Sequence, residues 1–231
     1  MGYEQMAVIH KEERGMNRRG FLLLSAGTIC TLVLRHEIVG AANEKPGSEF
    51  IESKCQSAET ITKRVLISYA SRCGSTGGVA EAIGQVPCGV GASADIRLVG
   101  NVNDISPYHA VIVGSAIRRG KWLPEAVGFV KDNQDMLGRL PIAYFVVCLT
   151  MKDNTAENRS KVMAYLDPVR KVAPRIQPLA AGLFPGAVNF GKLSFVDKMV
   201  LKAKGVSEGD YRNWPAVEAW ASDVGPKLPL T

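Results

Sequence analysis

Short apolar runs rich in β-branched residues alternate with segments of helical periodicity from Lys63 onward, and this alternation constrains the fold most. The predicted strands are residues 65–70, 95–99, 110–114, 141–147 and 176–183. Helical spacing is found around Val79 and over residues 123–136, 154–172 and 214–228. Strands that alternate with helices form a parallel sheet that is covered on both faces. The chain is therefore predicted to contain a doubly wound α/β domain.

The composition is that of an ordinary globular protein and excludes several other classes. Of 231 residues, 46% are hydrophobic and 22% are charged, so wholesale disorder is not expected. Five cysteines without a CxxC pair argue against a disulfide framework and against a structural zinc site. Only three histidines are present, so we expect no metal centre.

The net charge of the chain is +6 at neutral pH. Residues 1–42 contain five basic and four acidic side chains, so five of the six net charges belong to the rest. Charge alone admits three kinds of partner, namely nucleic acid, an acidic small molecule and an anionic membrane surface.

The N-terminal segment has the features of an export signal. Arg18 and Arg19 precede an apolar run over residues 21–34, which is short for a transmembrane helix but suits a signal peptide. This stretch resembles a twin-arginine signal, and small residues follow at 40–42. We predict an export signal or an uncleaved membrane anchor over 1–42, with the domain outside the cytoplasm. If the leader is not functional, the cytoplasmic membrane face is expected.

Residues 43–62 are predicted to be a linker, and residues 63–231 the folded domain. The turn after the first predicted strand carries the chemistry. It places hydroxyls, a glycine and backbone N–H groups at a helix N-terminus, which favours an anion such as a phosphate. Its residues are Ser71, Arg72, Cys73, Gly74, Ser75 and Thr76. A capped helix without a ligand is the alternative.

Two standard phosphate motifs are absent from the chain. It has no GxxxxGK[ST] motif, and no GxGxxG motif follows the first strand. The second strand ends in Gly100 and Asn101 rather than in a carboxylate that would bind a ribose. A mononucleotide is therefore favoured over a dinucleotide.

Residues 65–82 (VLISYASRCGSTGGVAEA) resemble the flavodoxin signature. Ser71, Cys73, Gly74 and Thr76 match the Thr-x-Thr-Gly-x-Thr pattern of that family, with Cys73 in place of a hydroxyl. Further stretches resemble the flavodoxin branch that contains menaquinone-dependent protoporphyrinogen dehydrogenase. They are residues 114–122, 147–150, 181–182, 197–198 and 211–214.

This resemblance implies a flavodoxin-like three-layer sandwich with a five-stranded parallel sheet in the order 2-1-3-4-5. It implies FMN as the cofactor, with the phosphate on residues 71–76. The flavin ring is expected between two further groups of residues: Ser115, Ala116, Ile117, Arg118, Gly120 and Trp122, and Cys148, Leu149 and Thr150. We name no catalytic acid or base, because the flavin carries the redox chemistry.

The resemblance also implies the function. We expect an FMN-dependent oxidoreductase that passes electrons from a reduced substrate, such as a porphyrin precursor, to a quinone. The alternatives are an electron-carrier flavodoxin outside the cytoplasm and a binding protein without a cofactor. Nucleic acid is not an expected partner of such a protein.

Several residues of the predicted site have two interpretations. Trp122 either covers the flavin or packs in the core. Arg118, Arg119 and Lys121 either attract an acidic substrate or form a solvated cluster. Cys73 is either redox-active or passive.

Residues 184–206 interleave apolar side chains with lysines. We expect this segment to contact a membrane or a substrate, or simply to pack on the sheet.

Overall fold

Seven strands form the central sheet in the computed structural model, which describes residues 50–55 and 63–228. The predicted leader lies outside the described residues. The strands are β1 (Ser53–Cys55), β2 (Arg64–Ala70), β3 (Ser93–Leu98), β4 (Ala110–Arg118), β5 (Lys121–Trp122), β6 (Ile142–Val147) and β7 (Ala181–Phe184). Their order is β1-β3-β2-β4-β6-β7, and β5 pairs with β4. Only β1 and β5 run antiparallel to their neighbours, so a mostly parallel sheet is confirmed.

Helices cover both faces of this sheet. They are α1 (Ser75–Gly89), α2 (Pro124–Asp132), α3 (Gln134–Leu137), α4 (Ala156–Ala164), α5 (Asp167–Val172), α6 (Phe195–Ala203) and α7 (Trp214–Val224). Helices α1 and α7 pack on one face, and α2, α3, α4 and α5 pack on the other. A small second sheet pairs β8 (Ala187–Val188) with β9 (Gly209–Asp210). Within the described ranges, no helix is long and apolar enough to cross a bilayer.

The central strand β2 explains why two hydrophobic layers form. Successive side chains of a strand point to opposite faces, so a strand that is buried on both faces needs a continuous apolar run. Leu66 belongs to the core beneath α2, whereas Val65, Ile67 and Tyr69 belong to the core beneath α1. All four side chains are fully buried.

Two predicted boundaries differ from the structure because proline cannot donate a backbone hydrogen bond. The helix predicted over 154–172 divides into α4 and α5, and Pro168 stands in the first turn of α5. The fifth strand is Ala181–Phe184 rather than residues 176–183, since Pro178 has no N–H for the ladder. The third strand extends past Gly114 to Arg118.

Part of the predicted linker joins the sheet. Strand β1 pairs with β3, and a disulfide joins Cys55 to Cys88 at the end of α1, with their Cα atoms 6.2 Å apart. The sequence argument against a disulfide framework therefore missed one bridge. Cys55 and Cys88 are 33 residues apart, and only the edge pairing of β1 brings them together.

We expect the Cys55→Ser/Cys88→Ser variant to unfold with a free energy about 3–4 kcal/mol below that of the oxidised wild type. The bridge closes a loop of 33 residues and so restricts the unfolded chain. Urea unfolding monitored by circular dichroism measures the difference. A reductant should lower the unfolding free energy of the wild type to that of the variant and leave the value for the variant unchanged. Equal unfolding midpoints for the oxidised wild type and the variant would contradict the bridge.

Candidate functional site

A cavity of about 530 Å³ opens beyond the carboxyl ends of the parallel strands. Its walls come from the turn after β2, the end of β4, the end of β6 and the segment that follows β7. In open α/β sheets this edge is where ligands bind. Nine of the predicted site residues line the cavity: Ser71, Arg72, Cys73, Ser75, Ala116, Ile117, Arg118, Cys148 and Leu149.

The turn that leaves β2 presents unpaired backbone donors. Gly74 has a φ of 87°, a left-handed conformation that glycine adopts at little cost. The Gly74 N–H donates to Ser71 Oγ at 3.0 Å. Within the described residues, the N–H groups of Cys73, Ser75 and Thr76 make no hydrogen bond. Because they lie at the positive end of α1, these donors favour an anion.

Thr76 provides an independent test of whether this turn suits a phosphate. Its side chain is fully buried, yet its hydroxyl has no hydrogen-bond partner in the described part of the chain. A buried polar group without a partner costs about 1–3 kcal/mol, so each one in a folded protein calls for an explanation. A bound phosphate oxygen would give this hydroxyl a partner. The residues present therefore fit the phosphate of FMN.

Cys73 is held as a neutral thiol. Burial raises the pKa of Cys73, and the nearby Asp197 carboxylate raises it further. Its Sγ donates to the Lys192 carbonyl oxygen at 3.5 Å. These contacts favour the passive interpretation of Cys73, with the thiol joining the phosphate turn to the segment after β7. Burial also raises the pKa of Cys148 at the end of β6.

The stretch after the predicted third strand is not an open loop, because Ser115 and Ala116 continue strand β4 and residues 117–122 form a tight β-hairpin. Ile117 pairs with Trp122 and Arg118 with Lys121 across a two-residue turn. Arg119 and Gly120 in that turn have positive φ values of 53° and 73°, as a type I′ hairpin turn requires. The hairpin holds Ala116, Ile117 and Arg118 at the cavity wall and places Gly120 in the turn.

Two of the predicted flavin contacts are buried in the core instead. Trp122 is only 3% exposed and packs edge-on against Tyr144, with ring centroids 5.4 Å apart. The packing interpretation of Trp122 is therefore correct, and we remove Trp122 from the cofactor contacts. Ser115 is fully buried, where its Oγ donates to the Ala116 carbonyl and accepts from the Leu123 N–H. Gly74, Thr76, Gly120 and Thr150 also lie outside the cavity lining.

The segment after β7 forms a wall that sequence reasoning did not assign to the cofactor site. Among others, Lys192, Val196, Leu201 and Lys204 line the cavity together with the phosphate turn. The only signal in the sequence was the alternation of lysines with apolar residues over 184–206. That pattern does not say which part of the sheet the segment covers.

A salt bridge fastens this wall to the hairpin. The Arg118 guanidinium donates to Asp197 Oδ2 at 2.9 Å, and the Ser194 hydroxyl donates to the same oxygen at 2.7 Å. The Ser194 hydrogen bond and the Arg118 charge hold the pKa of Asp197 below its usual value. The carboxylate therefore stays ionised at neutral pH, and the contact weakens only in acid.

The cavity is strongly basic. Five basic side chains line it against the single carboxylate of Asp197: Arg72, Arg118, Arg119, Lys192 and Lys204. Arg72 pairs with Glu125 at 2.7 Å, and Arg118 pairs with Asp197. In the described part of the chain, the other three have no carboxylate within salt-bridge distance. This charge favours anionic ligands. The described residues contain no cluster of His, Cys, Asp or Glu able to hold a metal ion.

Comparison with known proteins gives one family and one curated relative. The family described as "Flavodoxin domain" matches residues 66–211. The relative, "Protoporphyrinogen IX dehydrogenase [quinone]" of Leishmania major, is 29% identical over 143 residues. That match covers 57% of this chain and 59% of the relative, so the chain spans about three fifths of that protein.

Solved flavodoxins are similar in fold at low sequence identity. Oxidised Flavodoxin 2 from Bacillus cereus is 19% identical, with a TM-score of 0.42 over 71% of this chain and 99% of the other. The Fusobacterium nucleatum flavodoxin bound to flavin mononucleotide is 13% identical, with a TM-score of 0.39 over 72% of this chain and 99% of the other.

We expect Thr76→Val to weaken FMN binding about tenfold or more without destabilising the free protein. A hydrogen bond to a charged group contributes about 1.5–3 kcal/mol, whereas removing an unpaired buried hydroxyl costs nothing in the free state. Fluorescence titration with FMN and thermal unfolding measure the two effects.

The matched control is Ser68→Ala, which removes another buried, unpaired hydroxyl that lies inside strand β2 rather than in the phosphate turn. It should leave FMN affinity unchanged. Equal affinity of Thr76→Val and wild type would show that the phosphate does not contact Thr76.

Proposed function

The chain belongs to the flavodoxin domain family, and on this premise we propose that it is an FMN-dependent oxidoreductase that takes electrons from an acidic organic substrate. The observation that carries the proposal is the basic cavity beside the phosphate turn. Its volume of about 530 Å³ lies in the range of about 300–1,000 Å³ that is typical of ligand and cofactor sites.

The phosphate turn would hold FMN by its charged end. The N–H groups of Cys73, Ser75 and Thr76 and the Thr76 hydroxyl are the donors that would bind the phosphate oxygens. Such donors bind the dianion strongly because hydrogen bonds to a charged group are short and strong. Arg72 is engaged with Glu125, so its positive charge acts at longer range.

The remaining walls orient the ring and exclude water. Ala116 and Ile117 on the hairpin and Leu149 after β6 supply apolar contact, which suits an aromatic ring system. When bound, FMN supplies the redox chemistry by accepting electrons from one partner and passing them to the next. The residues of the chain position the ring and exclude water from the cavity beneath α6.

The charge of the cavity supports a substrate with carboxylate groups. Arg119, Lys192 and Lys204 line the cavity without a carboxylate partner among the described residues. The name of the Leishmania major relative gives protoporphyrinogen IX as its substrate and a quinone as its acceptor. We therefore propose a porphyrinogen-like substrate and a quinone acceptor for this chain as well.

The alternative is a carrier flavodoxin with no substrate of its own. The additional cavity wall that contains α6 and contacts the phosphate turn favours the enzyme, because a carrier needs only an exposed ring edge. Turnover decides between them. Anaerobic FMN-loaded protein reduced by protoporphyrinogen IX and reoxidised by a menaquinone analogue supports the enzyme. Reduction by a redox protein alone supports the carrier.

We also propose that the domain acts outside the cytoplasm. The twin-arginine-like leader motivates this location, and the Cys55–Cys88 disulfide supports it, because structural disulfides persist in oxidising compartments. Fractionation of cells that express the full chain measures its location. Recovery in the cytoplasm with both cysteines reduced would contradict it.

We expect Arg119→Gln/Lys204→Gln to lower kcat/KM for a porphyrinogen with carboxylates about tenfold while FMN content stays unchanged. The two charges lie at the cavity but not in the phosphate turn. Steady-state kinetics and the flavin-to-protein absorbance ratio measure both quantities. The loss should appear mainly in KM, since the charges bind the substrate and take no part in electron transfer.

Lys131→Gln/Lys161→Gln serves as the control, because it removes the same charge from helices α2 and α4, outside the cavity. Its kinetics should equal those of the wild type. An equal loss in both variants would indicate long-range attraction rather than binding at the cavity.

A further inference from the structure

Helix α6 exposes an apolar surface that the fold leaves uncovered. Phe195 is 76% exposed, Val196 63%, Met199 58% and Val200 47%. No residue of this helix is fully buried. Helices on the surface of a globular domain normally direct their apolar side chains toward the core, whereas this helix exposes them to solvent.

The exposed apolar side chains share one face. At about 100° per residue, Phe195, Met199, Ala203, Val196 and Val200 occupy an arc of about 140°. Positive side chains flank this arc on both sides. They are Lys202 beside Phe195 and Lys204 beside Val200.

Side chains outside the arc attach α6 to the domain. Asp197 contacts Arg118 of the hairpin, and Ser194 caps the helix by accepting from the Asp197 N–H. Lys198 and Lys202 lie over the ring of Phe190, with the ammonium groups 5.8 and 5.5 Å from its centroid. These contacts hold the helix so that Phe195 and Met199 face away from the protein, whereas Val196 and Val200 also line the cavity.

We propose that α6 docks this arc into the surface of a membrane that contains anionic lipids. A short amphipathic helix with apolar side chains on one face and flanking lysines lies in the interface plane, where the apolar groups enter the acyl boundary. The lysines then meet the negative lipid headgroups. Lys192, Lys198, Lys202 and Lys204 supply four positive charges in this short segment, against one carboxylate, Asp197, that is already paired.

The area and charge of the arc argue against a second copy of this chain. A helix of nine residues is about 13 Å long, so the arc covers on the order of 150 Å². A stable interface between two proteins buries about 800 Å² on each partner. Two copies would also bring their flanking lysines together, whereas an anionic bilayer neutralises these charges.

Docking of α6 would bring the cofactor cavity to the bilayer. Val196 and Val200 of the arc also line the cavity, as does Lys204 at its edge. A lipid-soluble acceptor would therefore reach the cavity from the membrane without crossing water. This consequence rests on the proposed function, whereas the docking itself does not.

Amide hydrogen exchange of the full FMN-loaded chain tests the docking locally. Vesicles that contain a neutral and an anionic phospholipid should slow exchange at least fivefold in peptides that cover residues 193–204. Peptides that cover α4, a polar surface helix, should not change. Vesicles of the neutral lipid alone should protect α6 much less. The local readout separates α6 from any membrane contact of the N-terminal segment.

Two variants resolve the contributions to docking. Phe195→Ser/Met199→Ser should abolish the protection of α6. Lys202→Gln/Lys204→Gln should weaken it about tenfold or more, because each lysine near an anionic surface contributes about 1 kcal/mol. The control, Met136→Ser/Leu179→Ser, removes two exposed apolar side chains from elsewhere on the domain and should behave as the wild type.

The outcomes are distinct. Unchanged exchange of α6 with anionic vesicles overturns the docking. Protection of α6 that depends on protein concentration without lipid, with a dimer in sedimentation, overturns it in favour of a second copy. If vesicles protect α6 but the chain binds no FMN, the docking is supported and the proposed function is contradicted.

Discussion

The backbone conformation of one turn determines what the site can bind. The left-handed Gly74 and its hydrogen bond to Ser71 set the path of the chain between β2 and α1. This path leaves three N–H groups and the Thr76 hydroxyl without partners at the positive end of a 15-residue helix. A phosphate bound at this helix end would give all of these donors a partner. The proposed cofactor follows from that arrangement, and basic side chains of the hairpin and of the segment after β7 add positive charge around it.

The segment after β7 adds a further wall to the site beside this turn. Cys73 contacts the Lys192 carbonyl, and Arg118 pairs with Asp197, so both the phosphate turn and the hairpin are joined to the same wall. These are few and partly exposed contacts, and exposed ion pairs contribute little to stability. Displacing the wall therefore requires little free energy. This suits a segment that a substrate must pass to enter the cavity. It also accounts for an α6 that buries no residue.

Much of the fold could be predicted from the sequence because its determinants are local. The continuous apolar run of β2 and the hydroxyl-rich turn after it are visible in adjacent residues, and both were predicted correctly. The hairpin was missed because its turn places a non-glycine residue, Arg119, at a positive φ. Strand β1 was missed because three residues, Ser-Lys-Cys, show no periodicity. Trp122 was misassigned because Tyr144, on a neighbouring strand, decides its burial.

The site was predicted least well where distant segments meet. Asp197 and Arg118 are 79 residues apart, and no local pattern links them. The Cys55–Cys88 bridge likewise depends on the pairing of β1 with β3. Sequence reasoning therefore found the strand ends that line the cavity and missed the segment that forms its further wall.

The most direct test of the phosphate turn compares FMN with riboflavin, which carries the same ring without the phosphate. Isothermal titration of the flavin-free protein measures both affinities. We predict that FMN binds at least about 100-fold more tightly, because two or more hydrogen bonds to a charged group each contribute about 1.5–3 kcal/mol. Equal affinities for the two flavins would contradict the central claim.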